Sequence, residues 1–246
     1  MSTGTDRQAN RLKGRQGARS PRPRRGFTLV ELLTVIIILG LLIGLVAPSV
    51  QTVRKMFLID QTKAYMHQLT MGIGNYLTDV GELPPSDGSF PHPSSLTVSD
   101  LNSGAAGLVQ SLTGYMGSDK DGLDGPGFRL KRAGPKFGPY VSQNMPVAGD
   151  PPVFQDAFGN SILYYRFDSA SRTYRSADNN VTNVKGPPDP MTYVTDPRTN
   201  DQSHPYYRED YILLSPGPNR VWDQVNQNTT KTDDIANFSF HLVEAQ

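Results

Sequence analysis

The sequence has no cysteine among its 246 residues. A disulfide framework and a thiolate metal site are therefore both excluded, whatever the redox state of the compartment in which the chain folds. Glycine and proline, in contrast, are abundant, with 23 and 20 copies. Because both residues favour turns, their number predicts a body rich in loops.

Charge is missing from one long stretch near the N-terminus. Residues 32–47 contain no acidic or basic side chain, and Thr34 carries their only hydroxyl group. As a helix, the apolar run from Phe27 to Ala47 is about 31 Å long, which matches a bilayer hydrocarbon core of about 30 Å. We therefore expect a transmembrane helix over residues 27–48.

Acidic residues are almost absent before this run. Residues 1–26 hold eight Lys or Arg and one acid, whereas the remainder holds 16 basic and 22 acidic residues. The positive-inside rule then predicts a cytoplasmic N-terminus and a body on the far side of the membrane. A plain signal anchor is the simplest interpretation, but it leaves Glu31 unexplained, since a carboxylate inside a bilayer costs about 2.5–3.5 kcal/mol.

The stretch "RRGFTLVELLTVIIILGLLIGLVAP", residues 24–48, resembles the N-terminus of type IV pilins and type II secretion pseudopilins. That family has a basic leader, a glycine at the cleavage site, a methylated residue that is usually Phe, and Glu at the fifth mature position. Gly26, Phe27 and Glu31 fit those places. Gly40 and Pro48 stand where the family often has residues that loosen the helix.

The resemblance implies a role for each of these residues. A prepilin peptidase of the inner membrane would remove residues 1–26 and methylate the new α-amine of Phe27. In a filament, Glu31 would neutralise the Phe27 amine of a neighbouring subunit. Removing one partner of such a buried pair costs about 3–5 kcal/mol in soluble proteins.

A second helical pattern follows Pro48. Apolar residues recur at steps of three and four, which predicts an amphipathic helix over 49–82 whose apolar side packs on a sheet: Tyr65, Leu69, Ile73, Tyr76, Leu77 and Val80. Gly81, Pro84 and Pro85 end the pattern. The expected fold is a pilin-like α+β fold, with a long N-terminal helix on a small antiparallel sheet and long loops in a head of residues 83–246.

The head contains few regular patterns. We expect a short helix at Gly104–Tyr115 and strands that begin near Ile162 and Tyr211, with a third over 236–243. Residues 168–205 are polar and predict a loop. The acidic stretch "SDKDGLDGPG" (118–127) fails the EF-hand pattern because Leu123 stands at the third ligand place, so turns are its favoured interpretation.

Later segments narrow the resemblance. "LTDVGELP", "DAFGN", "YILLSPGPN" and "DDI" occur in an order similar to that of the major pseudopilins of type II secretion. Those proteins end in a calcium-binding loop rather than a disulfide loop. The resemblance implies that Asn219, Asp233 and Asp234 bind Ca²⁺ with carbonyl groups near Pro216, and that Asp223 is a further candidate. Oxygen donors of this kind are the ligands that Ca²⁺ takes.

Three functions from different classes remain open on sequence alone. The first is a structural subunit of a type II secretion pseudopilus in the inner membrane, with a periplasmic head. Its partners would be the prepilin peptidase, other major and minor pseudopilins and the inner-membrane assembly platform. The second is a type IV or competence pilin for adhesion or DNA uptake.

The third function is an enzyme on a pilin-type anchor, and it has little support. The four histidines lack the spacing of metal ligands, and no P-loop, G-x-S-x-G or H-E-x-x-H motif is present. The basic stretch 128–140 is the one candidate for DNA contact. On a body of net negative charge it is more typical of a solvated loop, so no nucleic-acid partner is expected.

The N-terminal pattern generates the first prediction. Mass spectrometry of the protein extracted from membranes should show N-methyl-Phe27 as the first residue, because Gly26-Phe27 directly precedes the apolar run. An intact Met1 terminus in cells with an active prepilin peptidase would contradict the assignment of the N-terminal motif.

Overall fold

The computed structural model of the chain describes residues 26–87, 103–114, 128–129, 135–142, 144–149, 151–181, 184–199, 201–203, 205, 207, 209–223 and 231–240. The chain divides into two compact units, Met1–Ser49 and Val50–Gln246. The expected α+β arrangement is confirmed: a long helix is followed by a small, curled antiparallel sheet.

Helix α1 runs from Leu29 to Val80 and includes Pro48. In the first unit every described side chain of this helix is exposed. By length and composition α1 could cross a membrane. The helix ends at Gly81, which adopts a left-handed conformation (φ 89°) and donates its N–H to the Leu77 carbonyl at 2.9 Å. Glycine is favoured there because it carries no Cβ.

In the second unit, α1 buries one side. Leu69, Ile73 and Tyr76 are buried as the apolar periodicity predicts, and Met66 joins them. Leu77, in contrast, is 40% exposed, so its inclusion in the buried stripe was wrong. It lies at the edge of the buried side, because a step of one residue from Tyr76 turns the side chain by about 100°.

Helix α2, Gly104–Thr113, confirms the expected short helix, although it ends before Tyr115. Ser103 caps its start, since the Ser103 hydroxyl accepts the Ala106 N–H. Gly114 ends the helix in a left-handed conformation. The side chains of α2 are almost all buried, and Leu108, Val109 and Leu112 pack with the buried side of α1.

The strands are mostly short. They are β1 Phe128–Arg129, β2 Lys136–Phe137, β3 Val147–Ala148, β4 Val153–Phe154, β5 Leu163–Asp168, β6 Thr173–Tyr174, β7 Asn180–Val181, β8 Val184–Lys185, β9 Tyr211–Ser215 and β10 Ile235–Ala236. The main sheet has the order β10-β9-β5-β6, and the other strands form two-stranded hairpins. Among the described residues, 3-10 helices lie at Ser176–Asn179, Pro190–Tyr193 and Gly217–Asn219.

The antiparallel pair β5–β9 is the centre of the sheet, with Leu163 opposite Leu214 and Arg166 opposite Tyr211. Both strands confirm the expectation from sequence. Alternate side chains enter two different cores. Tyr164 and Leu213 pack with α1 and α2. Their neighbours on the opposite side of the two strands pack in a second cluster that contains Tyr193: Leu163, Tyr165, Ile212 and Leu214.

Two expectations for the head were wrong. The strand expected over 236–243 is limited to Ile235–Ala236 within the described residues. It stops because the Asn237 side-chain oxygen accepts the Leu213 N–H at 2.9 Å, where a strand would use its backbone. The region 168–205, expected to be a loop, contains β6 to β8 and two 3-10 helices. The region was expected to be a loop because its composition is polar, but it contains buried aromatic residues such as Tyr174 and Tyr193.

Candidate functional site

The start of α1 brings Glu31 back onto Thr28. The Thr28 N–H and the Thr28 hydroxyl both donate to Glu31 Oε2 at 2.9 Å, and the Glu31 N–H donates to the Thr28 hydroxyl at 3.2 Å. This reciprocal pattern is a capping box, in which two side chains satisfy N–H groups that the first turn leaves unpaired. The sequence signal for this cap is T-x-x-E, formed by Thr28 and Glu31.

Glu31 is therefore a helix cap within its own chain. A negative charge in the first turn also complements the positive end of the helix dipole. Gly26 and Phe27 precede the helix, so the bond between them lies outside regular structure, and Phe27 is 81% exposed. The expected cleavage bond is thus in an exposed segment without regular secondary structure, two residues before α1.

A second group of acids lies between β9 and β10. One carboxylate oxygen from each of Asp223, Asp233 and Asp234 falls within 4.8 Å of the other two. We call these three residues the acid cluster. The antiparallel register, with Ile235 opposite Ser215, returns the chain to the end of β9. The pairing therefore places Asp233 and Asp234 beside the residues that follow β9.

Hydrogen bonds hold the acid cluster together. The Asp223 N–H donates to Asp234 Oδ2 at 2.8 Å, and the Asp233 N–H donates to Asp223 Oδ2 at 3.2 Å. Thr232 donates its hydroxyl to Asp223 Oδ2, and Tyr193 donates its hydroxyl to Asp234 Oδ2 at 2.6 Å. Neither Thr232 nor Tyr193 was expected at the site, because no motif marks them.

Two oxygen atoms of the cluster have no partner among the residues that the structure describes. Asp233 Oδ1 and Asp234 Oδ1 are buried and accept no hydrogen bond from these residues. The residue Asp234 is only 6% exposed. Burial raises the pKa of Asp234 to about 7, and it also raises the pKa of Asp233, to which the nearby Asp223 charge adds. The acid cluster thus holds three carboxylates close together, and two of their oxygens have no donor among the described residues.

The structure places Asn219 at the edge of the cluster. Its N–H donates to Asp233 Oδ2 at 3.2 Å, but its side-chain oxygen accepts the Val221 N–H at 2.6 Å. The Asn219 side chain therefore already closes a turn of its own. Asp223, expected only as a further candidate, is a full member of the cluster together with Asp233 and Asp234.

The turn at residues 156–160 makes hydrogen bonds to the end of β9 and to the residues that follow it. Asp156 accepts the hydroxyl of Ser215 at 2.6 Å and the side-chain amide of Asn160 at 2.9 Å. Asn160 also donates to the Gly217 carbonyl at 2.8 Å. Gly217 has a φ of 61° and lies so close to the Asp233 carbonyl that a Cβ would collide with it. The Asp156–Asn160 turn therefore fixes the position at which Asp233 approaches the end of β9.

The donor set of the cluster fits a hard cation. All three groups offer carboxylate oxygens, and two of those oxygens are buried without a partner. Ca²⁺ is bound by six to eight oxygen atoms from carboxylates, carbonyls and water. Zn²⁺, in contrast, is bound in structural sites by sulfur and nitrogen, which none of these residues offers.

The other candidates from sequence lie mostly outside the described residues. These are the acidic turn 118–127, residues 130–134 of the basic stretch and three of the histidines, His92, His204 and His241. The fourth histidine, His67, is exposed on α1.

Comparison with known proteins identifies the N-terminal segment. Residues 21–47 match the family model of the prokaryotic N-terminal methylation motif. No curated protein and no solved structure matches the chain. This motif is the prepilin-like signal found in type IV pilin-like chains, which are structural subunits that a prepilin peptidase processes, and here it covers the N-terminal segment alone. It does not separate secretion from pilus function.

Gly217 offers a test of the loop geometry. Gly217→Ala should lower the free energy of unfolding by about 2 kcal/mol or more, since the left-handed backbone alone costs a side chain about 1–2 kcal/mol. Gly74→Ala is the control. Gly74 is an exposed helical glycine with open space at its Cβ position, so alanine should stabilise the protein by about 0.5–1 kcal/mol. Urea denaturation measures both, and equal effects would contradict the close approach of Gly217 to Asp233.

Proposed function

We propose that this protein is a structural subunit of a type II secretion pseudopilus. It is cleaved after Gly26, methylated at Phe27 and assembled into a periplasmic filament that drives protein export. The observation that carries the proposal is the match of residues 21–47 to the N-terminal methylation motif, directly at the start of a helix whose apolar side chains are exposed from Leu29 to Val46.

The exposed apolar surface supports assembly. The side chains of α1 are exposed from Leu29 to Val46, and the apolar exposure continues in the second unit at Val50, Val53, Met56 and Phe57. Apolar area gains about 25 cal/mol per Å² when it leaves water. Inside the membrane, lipid covers the N-terminal part of the helix. In a filament drawn out of the membrane, neighbouring copies of α1 take over that role.

In this mechanism Glu31 pairs with the methylated amine of Phe27 on a neighbouring subunit. The pair compensates two charges that the apolar helices would otherwise leave isolated, and it fixes the stagger between subunits. The N-terminus is cytoplasmic before cleavage and the head is periplasmic. The partners are the prepilin peptidase, further major and minor subunits and the inner-membrane assembly platform. No nucleic acid takes part.

The acid cluster supports a secretion pseudopilin rather than a pilus subunit. The chain has no cysteine, so a disulfide bond cannot fix its C-terminal loop, whereas a bound cation could. Asp223, Asp233 and Asp234 would hold Ca²⁺ with carbonyl groups near Pro216, and Asn219 would contribute from the edge of the cluster. The cation would supply the missing positive charge and fasten the loop to the end of β9.

Substitutions at Glu31 test the assembly mechanism. Glu31→Leu should preserve the membrane level of the protein but reduce filament yield and protein secretion, because the Phe27 amine loses its partner. Glu31→Gln separates charge from capping, since Gln also forms a capping box. If the charge pair drives assembly, Glu31→Gln should be as defective as Glu31→Leu.

Thr34→Leu is the matched control, because it removes a polar side chain three residues after Glu31 and leaves the Thr28–Glu31 cap intact. Its filaments should form at the normal level. Normal secretion by the Glu31→Gln strain would contradict the charge pair. Intact secretion combined with lost adhesion or DNA uptake in a strain without the protein would favour the pilus alternative.

Calcium binding is tested by melting the protein with millimolar Ca²⁺ and with a chelator. A ligand that binds only the native state stabilises it by about 2.7 kcal/mol at a hundredfold excess over Kd. For a body of this size, that corresponds to roughly 5–10 °C in Tm, at about 2–4 °C per kcal/mol. Asp233→Ala combined with Asp234→Ala should abolish the shift.

Asp119→Ala, in the rival acidic turn, should leave the calcium shift intact. An unchanged Tm together with no heat of calcium binding in calorimetry would contradict the metal site. That result would not contradict the assembly mechanism based on Glu31 and the Phe27 amine.

A further inference from the structure

One cation reaches the acid cluster in the part of the chain that the structure describes. Lys55, in the second-unit segment of α1, places its Nζ 3.9 Å from Asp233 Oδ2. The Lys55 side chain is 55% exposed, whereas that of Asp233 is 24% exposed. The ammonium group therefore lies at the solvent side of the cluster and is not built into it.

This ion pair does not satisfy the cluster. Lys55 approaches Oδ2 of Asp233, which already accepts the Asn219 N–H at 3.2 Å. The two oxygens without partners are the Oδ1 atoms of Asp233 and Asp234, and both are buried. Lys55 carries one positive charge, so it offsets only part of the negative charge of the three carboxylates. It leaves the two Oδ1 atoms without a hydrogen-bond donor among the described residues.

We propose that Lys55 is the counter-cation of the acid cluster in the metal-free protein, and that a divalent cation bound by Asp223, Asp233 and Asp234 displaces its ammonium group from Asp233. The inference rests on the metal site of the proposed function and adds its regulation. Binding of the cation in the C-terminal loop would release a positive charge on α1, where it becomes available to acidic groups of another subunit.

The physical reason is that the two cations compete for the same negative charge. A divalent ion at the cluster repels an ammonium group a few ångströms away, and this repulsion is weakened by salt. The Lys55 pair itself is half-exposed, and such pairs contribute little to stability. The lysine can therefore leave at small cost, because water replaces Asp233 around its ammonium group.

A purely structural salt bridge makes a different prediction. If Lys55 only fastens α1 to the loop, its removal destabilises the protein equally with and without calcium. If Lys55 is displaced by the cation, its removal destabilises the metal-free protein but strengthens cation binding. The two roles are therefore distinguished by whether calcium removes the loss of stability that replacing Lys55 causes, and by whether the replacement strengthens cation binding.

The experiment uses the full chain in detergent micelles and calcium chloride as the probe. Calorimetry at about 0.02 M salt should give Lys55→Met a Kd for Ca²⁺ about two- to fivefold lower than that of the wild type, a factor in the range of a half-exposed ion pair. Lys55→Gln should behave like Lys55→Met, and Lys55→Arg, which keeps the charge, like the wild type. At about 0.5 M salt the difference should shrink, because charges are screened within a few ångströms.

Lys63→Met is the matched control. Lys63 is an exposed lysine further along α1 and makes no ion pair with the described residues, so its replacement should leave Kd unchanged. In the chelator, Lys55→Met should melt below the wild type; at saturating Ca²⁺ it should melt at or above the wild type.

Equal calcium Kd values for wild type and Lys55→Met, or an equal loss of Tm in both conditions, would overturn the inference while the metal site stands. Absence of calcium binding by the wild type would overturn the metal site itself, and the displacement of Lys55 would fall with it. The two failures are thus distinguished by the wild-type measurement alone.

Discussion

The antiparallel pairing of β5 with β9 is the contact on which the rest of the head depends. Both faces of this pair are buried, so each strand contributes side chains to two cores. One face receives α1 and α2, and the other receives the segments around Tyr193. The end of β9 then fixes where the acidic loop begins, and β10 fixes where it returns. A shift of one residue in this register would exchange the two faces and separate the members of the acid cluster.

Both candidate sites have the same electrostatic problem and solve it differently. A carboxylate that leaves water needs a positive charge or hydrogen-bond donors. Glu31 receives donors from Thr28 in its own chain, and in the proposed filament it receives a positive charge from a second subunit. The acid cluster receives donors from Tyr193 and Thr232, but two of its oxygens have no partner among the described residues. Glu31 is therefore hydrogen-bonded within its own chain, whereas for the cluster we have proposed an ion.

The elements that could be predicted from the sequence are those marked by a pattern within one continuous segment. The charge-free run, the periodic stripe of Leu69, Ile73 and Tyr76, and the strands at 163–168 and 211–215 follow from patterns within one segment. The short strands between 168 and 205 could not be found in this way, because their partners and their burial are set by distant residues. Tyr193 shows this: its hydroxyl reaches Asp234, 41 residues away, and no local pattern marks either side chain. Only the resemblance to pseudopilins had indicated Asp234, and it gave no indication of Tyr193.

The capping box gives the proposed cleavage a physical meaning beyond removal of the leader. Before cleavage, the nitrogen of Phe27 is an uncharged amide, and within the described part of the chain the donors to Glu31 come from Thr28. Cleavage after Gly26 converts that nitrogen into a cation at the very start of the helix. The charged amine then has a high free energy in an apolar environment. A carboxylate on a neighbouring helix can compensate its charge, whereas lipid tails cannot. In this mechanism processing creates the charge that assembly then compensates, so uncleaved subunits lack the attraction that holds a filament together.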